Sequence, residues 1–279
     1  MAYYGGGFPS PQMSPQMGMP MGMPMGMPMG MPMGAPPQMA MAHLQNVTHA
    51  SIKEEVRFVE AITAALGQEI EMANKYKILD SKTGGDIFYA VESTDCLSRQ
   101  IKQCCPDCAP WNVEMLYANA PAFKLEKPWT ATCCCFNRPI VSVTDMAGVP
   151  VGHVVDPFTC CNLVFHAKDY EDRDIVTIDG GCCQLGLCCP FPCGPCSRVT
   201  FAIKTPDGRE IGEIVKKISC CKWLAAPDVD NYHIEFGEVG HPAAKLMVMA
   251  VAIFMDFKYF NENSRDDDGG LIGAITDTE

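Results

Sequence analysis

The chain has 279 residues, of which 48% are hydrophobic, and carries a formal net charge of −12 with 17 cysteines. That length allows one large or two small domains, and the apolar share is enough for a sizeable core. The acidity excludes general nucleic-acid binding, which needs a basic face against phosphate, and excludes simple electrostatic adhesion to an anionic leaflet.

Residues 1–50 read as a Pro/Met/Gly-rich arm without fixed structure. A Met-Gly-Met-Pro unit repeats through residues 17–34, and Pro20, Pro24, Pro28 and Pro32 each deny the chain a continuous helix. Such an arm serves as a tether or docks a protein partner. Its start lacks a basic stretch followed by an apolar run and a small-residue cleavage site, so a secretory leader is not expected. The thiols are then expected to stay reduced. Three readings of the cysteines remain open: buried small hydrophobes, zinc ligands, or acylation sites.

Residues 51–67 suit either element. Ser51-Ile-Lys-Glu54 has the pattern of a helix capping box, but Val56, Phe58 and Val59 suit a strand. From residue 74 the texture changes to short apolar runs between turn clusters. Residues 75–79 precede Thr83-Gly84-Gly85, and residues 86–91 follow. Residues 140–144 and 151–155 flank Asp145-Met-Ala-Gly148. Residues 174–178 precede Asp179-Gly180, taken as a turn, and residues 199–203 and 210–215 flank Pro206-Asp207-Gly208. Residues 231–236 alternate cleanly, placing Tyr232, Ile234 and Phe236 inward. Eight or more such runs predict an all-β sandwich or barrel. Lys216, Lys217 and Lys222 are expected on a solvated strand edge.

Residues 243–260 differ. Leu246, Met247, Val248, Met249, Ala250, Val251, Ala252, Ile253, Phe254 and Met255 carry no charged or polar side chain, between Lys245 and Asp256. Alanine, leucine and methionine favour helix, and a helix apolar on all sides is expected to be buried on all sides. The uncharged run is too short to cross a bilayer, for which about 20 residues are needed. A barrel of many strands can hold it on its axis. Residues 263–279 are acidic and glycine-bearing and read as a flexible tail.

Several of these segments together resemble the phospholipid scramblases. Asn74-Lys-Tyr-Lys-Ile78 followed by Tyr89-Ala-Val-Glu-Ser-Thr-Asp-Cys96 resembles the family's first strands. Asp179-Gly180, the cysteine cluster behind it and Val199-Thr-Phe-Ala-Ile203 resemble its middle. Asp228-Val-Asp-Asn-Tyr-His-Ile-Glu-Phe236 resembles its acidic segment, and the apolar stretch through Asp256-Phe257 and Tyr259-Phe260 its C-terminal helix. The likeness spans roughly residues 55–262. It implies a tubby-like closed barrel of about twelve strands around a central apolar helix, forming a domain over residues 51–262. It also implies calcium-responsive, ATP-independent movement of membrane phospholipids between leaflets. The alternative is a membrane-tethered lipid-binding adaptor that transports nothing.

Three sets of residues are candidate sites. Asp228, Asp230 and Asn231, with Glu235 or Glu238, offer oxygens for a weak calcium site, although His233 stands where an EF-hand loop needs glycine. The competing reading is a turn feeding a strand. Cys133, Cys134 and Cys135 align with the start of the family's palmitoylated run, which implies anchoring at the cytoplasmic face of a membrane, the plasma membrane by resemblance. The run is broken here by Phe136-Asn137. Cys188, Cys189, Cys193 and Cys196 offer zinc ligands around one Cys-x-x-Cys spacing. No glycine-rich phosphate loop, paired-carboxylate motif or nucleophile–base spacing stands out, so lipid handling without bond chemistry is expected.

Overall fold

The computed structural model describes residues 35–54, 74–93, 98, 101, 105, 107–133, 135–189, 194–217 and 232–260. All of them belong to the unit spanning residues 34–279. A helix α1 (Pro36–Asn46) comes first. Twelve strands follow: β1 (His49–Glu54), β2 (Lys75–Asp80), β3 (Asp86–Glu92), β4 (Trp111–Tyr117), β5 (Ala120–Lys127), β6 (Ile140–Asp145), β7 (Pro150–Val155), β8 (Asn162–Asp169), β9 (Asp174–Gly181), β10 (Arg198–Lys204), β11 (Glu210–Lys217) and β12 (Tyr232–Glu235). A one-turn helix α2 (Leu185–Cys188) lies between β9 and β10, and α3 (Pro242–Met255) runs into a π-turn at Asp256–Phe260.

The strands form a closed barrel in which each pairs with its neighbour in sequence, and β1 closes on β12 through His49–Glu235, Ala50–Ile234, Ser51–His233 and Ile52–Tyr232. Every pairing is antiparallel, so no strand edge is left open. Inward positions alternate with outward ones: Val199, Phe201 and Ile203 on β10, and Tyr76 and Ile78 on β2, are buried, while their neighbours face out. Tyr232, Ile234 and Phe236 point inward as their spacing predicts.

The axis of the barrel is filled by α3, which is buried on every face from Ala244 to Met255. Its N-terminus is capped by His241, whose Nδ1 accepts from the Ala243 amide, with Pro242 at the first turn. Phe254 lies between Trp111 and Phe165, and Trp111 stacks on Phe257 at 4.6 Å. Among the described residues no helix is long and apolar enough to cross a membrane.

Two glycines allow this packing. Gly237, between β12 and α3, has φ +53°, and a Cβ there would stand 1.8 Å from the Ile211 carbonyl oxygen. Gly180 faces inward on β9, where a Cβ would meet the Phe201 ring at 2.4 Å.

Three expectations are corrected. The arm was expected to reach residue 50, but α1 and the start of β1 lie within it. Ala40, Leu44 and Val47 are fully buried because α1 packs across the barrel beside the start of α3. There Lys245 reaches from α3 to donate to the carbonyls of Leu44, Gln45 and Val47 at the end of α1. Asp179-Gly180 is not a turn: β9 continues to Gly181, since the Phe201 ring occupies the space a side chain would need. Lys216 is not on a solvated edge, because the barrel has no edge there and its ammonium turns inward to Asp256. Lys217 is exposed, and Lys222 lies outside the described residues.

Candidate functional site

In a barrel whose strands strictly alternate in direction, connections leaving odd-numbered strands gather at one end. Among the described residues, the connections at that rim comprise residues 74, 93, 98, 101, 105, 107–110, 128–133, 135–139, 156–161, 182–189 and 194–197. The opposite end carries the shorter turns 81–85, 118–119, 146–149, 170–173 and 205–209, together with residues 236–241 before α3. Since α3 starts at the short-turn end, its C-terminal π-turn emerges at the rim.

The rim is closed from inside by buried charges. A helix C-terminus carries partial negative charge, which disfavours the carboxylate of Asp256 at that point. Three donors compensate it: Lys216 Nζ at 2.8 Å, Tyr76 Oη at 2.8 Å and Tyr232 Oη at 2.9 Å. Burial first, then the Asp256 charge, raise both phenols well above their ordinary pKa. A second carboxylate, Asp156, is 2% exposed and accepts from Arg138 and from Lys258 of the π-turn. Arg138 Nε also donates to the Asp156 carbonyl at 3.0 Å. These pairs tie β2, β11, β12 and two rim segments to the end of α3.

Lys127 is a further buried cation at this end. Its ammonium donates to the carbonyls of Asp107 and Ala109 at 2.8 and 2.7 Å. Burial pulls its pKa from the ordinary 10.5 down to about 8. Below about pH 8 the folded and unfolded chains both carry the proton, and the fold bears the full cost of the buried charge. As pH rises toward 10.5 the unfolded chain binds more protons, so this lysine makes stability rise with pH. The urea midpoint of the wild type should therefore gain on that of Lys127→Gln between about pH 8 and about pH 10. A difference that stays flat across that interval would refute the assignment.

The outer surface of the rim is apolar and rich in thiols. Trp129 and Phe136 are 59% and 71% exposed, and Ile140, Phe158 and Leu185 are exposed as well. The stretch around Phe136 is held by reciprocal backbone hydrogen bonds between Cys133 and Phe136. The Asn137 side chain donates to the Ala131 carbonyl, and the Thr132 hydroxyl donates to that of Asn137. This turn leaves Cys133, Cys135 and Phe136 facing out. All eleven described cysteines are free and lie in rim segments. Cys182 and Cys183 bring their sulfurs within 3.7 Å, which raises the Cys182 thiol pKa.

The expected sites fall as follows. Of the lipidation set, Cys133 and Cys135 are exposed and Cys134 lies outside the described residues. Of the zinc set, Cys188 and Cys189 are exposed, Cys196 is half-buried, and Cys193 lies outside the described residues. Among the described residues no three His, Cys, Asp or Glu side chains converge on a metal-sized site. Of the calcium set, Asp228, Asp230 and Asn231 lie outside the described residues. Glu235 ends β12 beside His49, and Glu238 pairs with Arg209 at 2.6 Å at the short-turn end. Sequence reasoning missed the Asp256 cluster. Its signal was the pair of polar residues, Lys245 and Asp256, bracketing an apolar helix too short to span a bilayer.

The sequence profile of the family described as Scramblase matches residues 25–262. Phospholipid scramblase 1 of Rattus norvegicus is 27% identical over 231 residues, covering 81% of this chain and 64% of that protein. Phospholipid scramblase 1 of Mus musculus is also 27% identical, with 65% of that protein covered. Phospholipid scramblase 2 of Bos taurus is 28% identical over 224 residues, covering 79% of this chain and 71% of that protein. The chain thus spans 64–65% of the length of these rat and mouse scramblase 1 proteins. No solved structure matches the chain.

Proposed function

This chain belongs to the scramblase family, and we propose that it moves phospholipids between membrane leaflets without ATP, working from the cytoplasmic face of the plasma membrane. The observation that carries the reading is the family match, which takes in the whole described barrel and its central helix. Acyl chains on Cys133, Cys134 and Cys135 hold the barrel at the leaflet; two chains suffice for stable attachment where one is marginal. Calcium acts as the stimulus through a weak site on Asp228, Asp230 and Asn231. Glu235 is the preferred carboxylate partner, because Glu238 is already paired with Arg209. Calcium then favours the membrane-engaged state by binding it more tightly than the free state. No bond is made or broken in the lipid.

The purified chain reconstituted into vesicles with a dye-labelled phospholipid is expected to expose inner-leaflet dye to a membrane-impermeant quencher. Calcium should speed this several-fold, and Asp228→Asn with Asp230→Asn should abolish the calcium effect. No leaflet exchange at high protein occupancy, with or without calcium, would sink the proposal.

One observation favours a second reading, a lipid-binding adaptor. Among the described residues, the barrel interior is filled by α3, which is buried on every face from Ala244 to Met255. An adaptor binds the same vesicles and leaves the dye distribution unchanged.

A further inference from the structure

Among the described residues, the cysteines and most of the exposed large apolar side chains share one end of the barrel. Among the described residues of the rim segments, the charged ones are Asp107, Arg138 and Asp156; Arg138 and Asp156 pair with each other, and Asp107 is half-buried. The turns at the other end expose Lys82, Glu171, Asp172, Arg173, Asp207 and Glu238. Exposed apolar residues there, Met146, Val149 and Tyr170, are few and stand near those charges. The exposed cations nearest the rim are Arg198 and Lys217, register partners at the ends of β10 and β11. For an acidic chain, apolar side chains and acyl groups supply the attachment to an anionic leaflet that its net charge does not. Large aromatic and aliphatic tips flanked by cations match a lipid–water interface.

We propose that the barrel docks end-on, with this rim against the leaflet, and that Cys160, Cys161, Cys182, Cys183, Cys188 and Cys189 are acyl acceptors in addition to the cysteines at 133–135. The proposal rests on the membrane attachment given under Proposed function and extends it from one loop to three. Cys160, Cys161, Cys183, Cys188 and Cys189 are exposed and Cys182 is half-buried; all are free thiols in connections at the same end as Phe136. Each acylation is a thioester exchange. The cysteine sulfur attacks the carbonyl of a long-chain acyl-coenzyme A, the new S–C bond replaces the old one, and the proton leaves with the coenzyme thiol. No oxidant or reductant is needed. Chains added on three neighbouring loops fix the tilt of the barrel, which chains on a single loop leave free.

The test uses the full chain expressed in cells and a mass tag exchanged for each thioester after hydroxylamine. The wild type should carry more tags than residues 133–135 can accept. Serine at 133, 134 and 135 should keep tags and membrane fractionation, and serine at the six other positions should remove those remaining tags. In parallel, unacylated chain floated with phosphatidylcholine–phosphatidylserine vesicles should lose about tenfold or more in binding on Trp129→Asp with Phe158→Asp. Val149→Asp with Tyr170→Asp, at the opposite end, should change binding little. Unaltered melting temperatures confirm that the variants fold. Loss of every tag in the first serine variant overturns the proposal, as does stoichiometric zinc on the six cysteines. Self-association of the rim without vesicle binding overturns it equally. Leaflet exchange is read separately: absent exchange with rim docking intact defeats only the transport reading, and exchange with tags confined to 133–135 defeats only this one.

Discussion

Replacing Asp256 by leucine should lower the unfolding free energy by about 3–5 kcal/mol, because it strands a buried ammonium. Asp256 is 2% exposed, and Lys216 8%. With the carboxylate gone, Lys216 keeps only the faces of Tyr232 and Phe260, at 4.2 and 5.1 Å from its nitrogen. The hydroxyls of Tyr76 and Tyr232 lose their acceptor at the same time. Removing both charges, Asp256→Leu with Lys216→Met, should recover part of the loss, since the cost lies in the unpaired charge more than in the lost pair. Urea unfolding followed by tryptophan fluorescence reads both variants. A single variant within about 1 kcal/mol of wild type would contradict the buried cluster.

Phe254→Ala should cost a similar amount, about 3–5 kcal/mol. For a domain of this size that lowers the melting temperature by roughly 6–20 °C. The ring is 2% exposed inside the barrel, with its centroid 5.3 Å from that of Phe165 and 5.9 Å from that of Trp111, so its loss leaves a cavity in a close-packed interior. Phe136→Ala, the same chemical change on the exposed rim, should leave stability unchanged. The pair of variants separates an axial helix from one that leaves the fold to enter lipid. Similar small effects at both positions would place α3 outside the barrel.

Much of the barrel was legible in the residues. Eight strands came from alternation and turn chemistry, and the axial helix from a run apolar on all sides yet too short for a bilayer. β1 suited helix and strand alike, and β4, β5 and β8 were missed. The turn between β4 and β5 is Ala118-Asn119, both at positive φ, without the glycine that marks a tight turn. β8 includes His166 and Lys168 on its outer face, which weakens its apolar signal. Without these strands the alternation of long and short connections was hidden. The cysteine clusters then read as separate motifs, although they share one rim.

Helix, strands and the shortness of residues 246–255 for a bilayer span follow from local properties: side-chain period, β-branching, and the length of an uncharged run. Those properties act between near neighbours and are therefore written in the order of residues. The partner of Asp256 is a lysine 40 positions away and that of its other oxygen a tyrosine 180 positions away. Pairings of that kind exist only once the barrel closes and brings its first, last and axial elements to the same depth. The gathering of distant thiols at one end has the same origin: strand direction sets it, and no segment carries that direction alone.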